Sequence, residues 1–461
     1  MDKKLKSLLS IVFIGLVLPG CAKSTFTKPP TQSTTPTTPT TPASGKSYFV
    51  AEATGADVNT GLSISQAFKQ LSKAASVAEP GDTVFVLNGT YASTAGPVLN
   101  ITKSGLPDKY ITYKVYPGNT PKIFASGNVW NAVSINGSYT VLEGLELQGD
   151  NASLNYADAY AAFTASVGGA APQAKFNTNG ISIGGPGTES KLPHHVVIRN
   201  CKVHDFPGGG ISSIQADYTT IEGNTVYNNA WYMMYGGSGI SILTPVNSDA
   251  ADLNKYKNIV RGNFVYGNKT TVPWIGANPA RLSDGNGIIL DVNQTGYTGT
   301  GAAYAGRTLV ENNVSFNNGG SGIHSFKADH VDIINNTAYG NGTVVGYADI
   351  FAGSATDVKI INNIMYARTG GKCTSAPSAG TTVTFNYNIY YNGTVAVQGA
   401  NDKVMNPQFV NASTDGTVAN FSLMAGSPAI DAGTQTIFAA KDIKGVVRPK
   451  GSGVDCGAYE Y

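Results

Sequence analysis

The sequence predicts an all-β fold: a right-handed parallel β-helix with three short strands per coil, an N-terminal capping helix and a C-terminal cap. Two recurring motifs and their spacing predict it. The first is a Gly-Ile core or its variant, at Gly180-Ile181, Gly210-Ile211, Gly239-Ile240, Gly287-Ile288, Gly322-Ile323 and Asp349-Ile350. The second is an aliphatic residue, then Asn three places on, then an aromatic three places later. It runs through Asn224, Asn263, Asn313, Asn336, Asn363 and Asn388, and Cys201 takes the Asn position in one further copy. The Asn-to-Asn intervals are 39, 50, 23, 27 and 25 residues. A unit of 23–27 is too short for most helical repeats, and its runs are short, alternating and β-branched with Gly and Asn turns. An Asn at a fixed inward turn can bond the neighbouring coils' backbone and stack as a ladder. The aromatics that follow should stack likewise, and Cys201 reads as a buried rung substitute.

Composition agrees. The 461 residues include 55 Gly, and only 13% are charged, which argues against a helical bundle or coiled coil. A net charge of +2 gives no electrostatic footprint for nucleic acid. The four cysteines form no CxxC pair, which excludes a zinc ribbon or a disulfide-dense scaffold.

The chain divides into four segments. Residues 1–20 read as a signal peptide: Lys3, Lys4 and Lys6 precede an apolar run from Leu8 to Leu18 that is too short for a stable span. Leu18-Pro19-Gly20-Cys21 resembles the lipobox of bacterial lipoproteins, in which the cysteine is lipidated. Residues 21–46 are rich in Thr, Pro and Ser and read as an extended tether. Residues 47–400 carry the β-helix. Ile64, Ala67, Phe68, Leu71, Ala75 and Ala78 recur at helical spacing before Pro80-Gly81 and should cap its open end. Residues 401–461 lose the period and read as the C-terminal cap, or as a separate sorting or binding module. These features imply a lipid-anchored protein of the bacterial cell envelope, at the outer membrane or cell surface, with no other membrane contact, and monomeric.

Excess length over a ~25-residue coil marks loops that build a binding face. It falls at about 150–176, 228–236, 245–257, 269–283 and 294–306. Aligning the coils on their Ile isolates the candidate chemistry. Asp284 lies four residues before Ile288 and Asp291 three after it; His324 and Lys327 follow Ile323 by one and four places. Other coils carry Ser182, Ser212 and Ser241 in the His324 register, and Gly184, Ile214 and Leu243 in the Asp291 register. Asp205, Asp217 and Asp329 lie at nearby positions. In a charge-poor chain these residues break a bland pattern on adjacent coils. The plainer alternatives are that Lys327 is a solvated turn residue, that Asp284 caps a turn, and that His324 is a rim residue. Trp231, Tyr235 and Trp274 sit in or beside the long loops, where they would stack on sugar rings or anchor the loops.

From about residue 47 onward, the Gly-Ile and Asn motifs resemble the pectate-lyase-type right-handed β-helix proteins of bacteria. That superfamily contains polysaccharide lyases, glycoside hydrolases, uronan epimerases and phage tailspikes. The segment Asn317–Lys327 with Asn335–Gly342 is similar in texture to coils of uronan lyases and epimerases. The resemblance implies β-elimination on an acidic, uronate-containing polysaccharide or oligosaccharide. Lys327 would then be the base. Asp284, Asp291 and Asp205 would hold calcium, and His324 and Arg307 would pair with the substrate carboxylate. The dense aspartate run of some pectate lyases is absent. A hydrolase or epimerase on the same groove, with Asp284, Asp291 or Asp205 as its carboxyls, and a non-catalytic glycan-binding lipoprotein are the other classes.

Overall fold

A computed structural model describes residues 45–185, 192–295 and 302–461. The signal peptide, Cys21 and nearly all of the tether lie outside these residues. The described chain forms a parallel β-helix. Each coil visits three sheets in turn: a first sheet from Ser47–Val50 to Val383–Asn386, a second from Thr90–Ala95 to Lys403–Val404, and a third from Leu99–Ile101 to Ile350–Gly353. Ladder pairing within all three is parallel.

The Gly-Ile motif is the start of each third-sheet strand. Ile181, Ile211, Ile240, Ile288, Ile323 and Ile350 stand in register on successive coils and are fully buried. Each such side chain is worth roughly 1.5–3 kcal/mol of burial. The second motif is the turn from the first sheet to the second, and its Asn row is the expected ladder. The Asn224 backbone and side-chain amides both donate to Asn263 Oδ1, at 2.9 and 3.0 Å, and the pattern repeats through Asn313, Asn336, Asn363 and Asn388. It begins where the Cys201 N–H donates to Asn224 Oδ1 and ends on Asp402. Burial pushes the Cys201 thiol up to about 12, as expected of an inert rung. The aromatics that follow stack on the outer face of the second sheet, with His204 over Tyr227 at 4.7 Å and Tyr227 over Tyr266 at 4.9 Å.

A second ladder runs five residues behind the first, at the turn into the third sheet. Asn229, Asn268, Asn318 and Asn341 bond in sequence. It explains the glycine of the Gly-Ile motif: a Cβ on Gly239, Gly287 or Gly322 would lie 2.7 Å from a ladder amide nitrogen. The next coil carries Arg368 in the ladder position. There Asp349 replaces the glycine and accepts from Asn341 with its own carboxylate, at 2.9 and 3.0 Å.

The N-terminal helix is shorter than its spacing predicts. It spans Leu71–Val77, while Ile64–Gln66 is a separate short 3-10 turn. Leu71, Ala74, Ala75 and Ala78 pack into the end of the core. At the far end, Val395 and Val397 pack against the core, and Lys403–Val404 adds the last strand of the second sheet. The remaining chain folds back along the flank. Phe409, Phe421 and Ala458 cluster with Val314, Phe316, Ile364 and Ile389. Asn312, Asn335 and Asn362, at the turns of three coils, bond the backbone at Lys441, Asp455 and Thr434. The segment expected to cap the end is therefore mostly a strap along the side.

Candidate active site

The long loops flank the third sheet on both edges and make it the floor of a groove. Residues 150–176, 228–236 and 269–283 all join the second sheet to the third. They pack on one another: helix Tyr156–Val167, capped by Asn155, sets Ala159, Ala162 and Phe163 against Phe176, Met234 and Val272. The loop at 245–257 and the described ends of the segment at 294–306, residues 294–295 and 302–306, join the third sheet to the first on the opposite side. Asp217 anchors that side while fully buried: it takes an ion pair from Lys257 at 2.8 Å and a hydrogen bond from the Tyr304 hydroxyl at 2.6 Å. It is committed to structure.

On the floor, Asp291 ends the strand Ile288–Asp291 and faces outward between Leu243 and Phe326 of the neighbouring coils. Burial raises its carboxyl to about 6, against the pull of the Lys327 ammonium. Asp284 sits at the turn entering the same strand, in the left-handed region at φ 63. Its carboxylate lies against Gly236, where a Cβ would come within 2.4 Å of Oδ2. Burial raises Asp284 to about 7, with the Asp291 charge adding to the rise. Two carboxyls and one lysine thus meet around one strand, and each carboxyl is held well above the ordinary carboxylate range. Such perturbed clusters mark functional sites.

His324 also faces outward, between Ile289 and Phe351 of adjacent coils. It is buried by Phe351, Tyr347 and Phe326, at ring distances of 4.5, 5.6 and 5.8 Å. Among the described residues neither ring nitrogen has a hydrogen-bond partner, and burial pushes the imidazole down to about 3. It is a neutral group on the floor.

The other expected site residues are elsewhere. Arg307 opens a first-sheet strand and is consumed by two aspartates: Nη2 and Nε donate to Asp332 at 2.8 and 2.9 Å, and Nη1 donates to Asp357 at 2.6 Å. Asp205 follows a second-sheet strand and turns its carboxylate to His204, 2.7 Å away. Among the described residues no group of three or more His, Cys, Asp or Glu side chains is arranged to hold a metal ion. Asp284 and Asp291 alone are not the cage of 6–8 oxygens that calcium takes. The residues present do not fit a calcium site, and no step below uses one.

The aromatics separate into two kinds. Trp231 is an anchor, because its indole N–H donates to Gly267 O at 3.1 Å and Lys269 covers its face at 4.3 Å. Tyr235 and Trp274 expose 38% and 37% of their surface. A third exposed ring, Trp130, lies 6.4 Å from Tyr235. It escaped the sequence reading because it occupies a short turn, and only excess length marked a wall there.

A family model for the Pel9A-like right-handed β-helix region matches residues 48–359. The chain belongs to the Pel9A-like right-handed β-helix family. Among solved structures, pectate lyase Pel9A is 18% identical, with 90% of this chain and 96% of that one covered at a TM-score of 0.52. A glycoside hydrolase is 9% identical, with 78% and 96% covered at 0.50. At these identities the likeness concerns the fold. No curated protein matches the chain. Pectate-lyase-like helices therefore carry lyase and hydrolase activity alike, and the activity of this Pel9A-like chain must be argued from its own groove.

Proposed function

We propose that the protein is a polysaccharide lyase that cleaves a uronate-containing chain by β-elimination on the floor of the groove. One observation carries the reading: Lys327, at the end of the next groove strand, stands beside a pair of half-buried carboxyls whose acidities are both depressed. Elimination has three needs, and the cluster holds one group for each. The uronate carboxylate must be neutralised before the C5 proton becomes acidic, and the Lys327 ammonium is its counter-ion. Asp291, raised to about 6, is a stronger base than an ordinary carboxylate and is ionised at neutral pH. Asp284, raised to about 7, keeps a proton there and is the acid.

The proton leaves C5 for Asp291, the C–H electrons form the C4–C5 double bond, and the C4–O bond breaks. The leaving oxygen takes the Asp284 proton. Solvent water then returns the pair to its starting state. This gives Lys327 the counter-ion's role in place of the base's, which Asp291 takes here. Asp291 must be ionised and Asp284 protonated, so the rate rises through about pH 6 and falls through about pH 7.

A glycosidase also uses two carboxyls of separated acidity. Lys327 favours the lyase, since a neutral glycan offers it no carboxylate. Ultraviolet absorbance of the unsaturated uronate, followed on pectate, alginate and glucuronan, tests the choice: hydrolysis releases reducing ends without that absorbance. The anchor belongs to the same proposal. Lipidation at Cys21 would hold the groove off a bacterial envelope membrane, and Cys21→Ser would then move the protein from the membrane to the soluble fraction.

A further inference from the structure

The wall nearest Asp284 continues beyond the reacting centre. Gly236 packs directly against the Asp284 carboxylate, and its neighbour Tyr235 reaches Trp130, the ring centroids 6.4 Å apart. The strand after Trp130, Asn131–Ile135, lies four steps along the groove sheet from Ile288–Asp291. That is a span of about 19 Å at the ~4.8 Å spacing of strands, longer than a disaccharide.

Trp130 is not held as an anchor would be. It is 42% exposed, and no described residue accepts from its indole N–H, whereas Trp231 one loop away has both its face and its N–H engaged. The sheet between Trp130 and Asp291 carries one serine row, Ser134, Ser182, Ser212 and Ser241, of which Ser134 and Ser241 are half-buried while Ser182, bonded to Gly184 O, and Ser212 are buried. Asn131 and Asn179 bond one another at its edge, 3.0 Å apart. An exposed ring beside a polar sheet suits the apolar face and equatorial hydroxyls of a pyranose.

We infer that Trp130 and Tyr235 form a distal sugar subsite, so that the substrate is a polymer lying along the groove rather than a short oligosaccharide. This rests on the proposed groove reading but is tested apart from it. The binding arm uses the full-length chain carrying Asp291→Asn, run through gels containing pectate, alginate or glucuronan. The polymer that retards it most should lose about three- to tenfold in affinity when Trp130→Ala is added, and Trp130→Phe should restore most of the loss. The kinetic arm uses Trp130→Ala alone. Its KM should rise by a similar factor on polymer, with kcat and the KM of the shortest cleaved fragment unchanged. Equal retardation with and without Trp130, or a loss equal on polymer and shortest fragment, overturns the subsite. Because retardation needs no turnover, its loss on Trp130→Ala supports the subsite even if no unsaturated product ever forms.

Discussion

The outer faces of the first and third sheets are built on the same coils, yet they treat charge in opposite ways. On the first sheet, Glu143, Arg199, Glu222, Arg261 and Glu311 alternate in sign in one register row. Arg199 meets Glu143 at 2.9 Å and Arg261 meets Glu311 at 3.6 Å. Beside them Arg307 joins Asp332 and Asp357. Burial alone would raise Asp357, but hydrogen bonds from Arg307 and His330 hold it at about 2. On the third sheet, Asp291 has Lys327 nearby and Asp284 feels Asp291, and burial raises them to about 6 and about 7. A paired charge holds a coil in register, whereas an under-paired buried carboxyl opposes folding and persists for what it does.

The comparison breaks most plainly through activity. Asp291→Asn should lower elimination by about 10²- to 10⁴-fold and leave the melting temperature unchanged or raised above pH 6. Arg307→Ala should do the reverse. It takes the guanidinium from the buried Asp332, leaving the Tyr256 hydroxyl and Lys359, and should remove about 2 kcal/mol of stability in urea titration while kcat stays within twofold.

Asp284→Asn should sharpen the contrast by stabilising the protein while inactivating it. The folded carboxyl binds its proton more tightly than the unfolded one, so wild-type stability falls as pH rises from about 4 through about 7. The variant lacks that loss and should gain a few kcal/mol at pH 8 and nothing at pH 4, read from melting temperatures at both. A smaller gain, about 1 kcal/mol above pH 6, is expected for Asp349→Asn. Its Oδ1 keeps both Asn341 bonds, and the partnerless buried Oδ2, on a carboxyl raised by burial to about 6, becomes neutral.

The coil was legible because its constraints are local and repeated. Ile288 and Ile323 fill one inner row and Asn313 one turn, so sequence spacing alone exposed the register. The second ladder was also written in the sequence, five residues behind the first, but Asn229 and Asn268 sit among other turn asparagines and glycines. Asp284, Asp291, His324 and Lys327 stood out as exceptions within a register and do share the floor. Arg307 and Asp205 could not be placed that way. Which corner of a coil a residue turns toward depends on loop geometry, and their partners, Asp332 and His204, stand on other faces. Trp130 was missed for the same reason, since its partner Tyr235 arrives from another coil's loop.

The central claim is that the two under-paired carboxyls and Lys327 perform an elimination. The most direct measurement is ultraviolet absorbance of unsaturated product against pH, on uronans, with chelator present throughout. The account predicts product formation despite the chelator, rising through about pH 6, falling above about pH 7, and lost in Lys327→Ala. Release of reducing ends without absorbance, or activity that chelator abolishes, would contradict it.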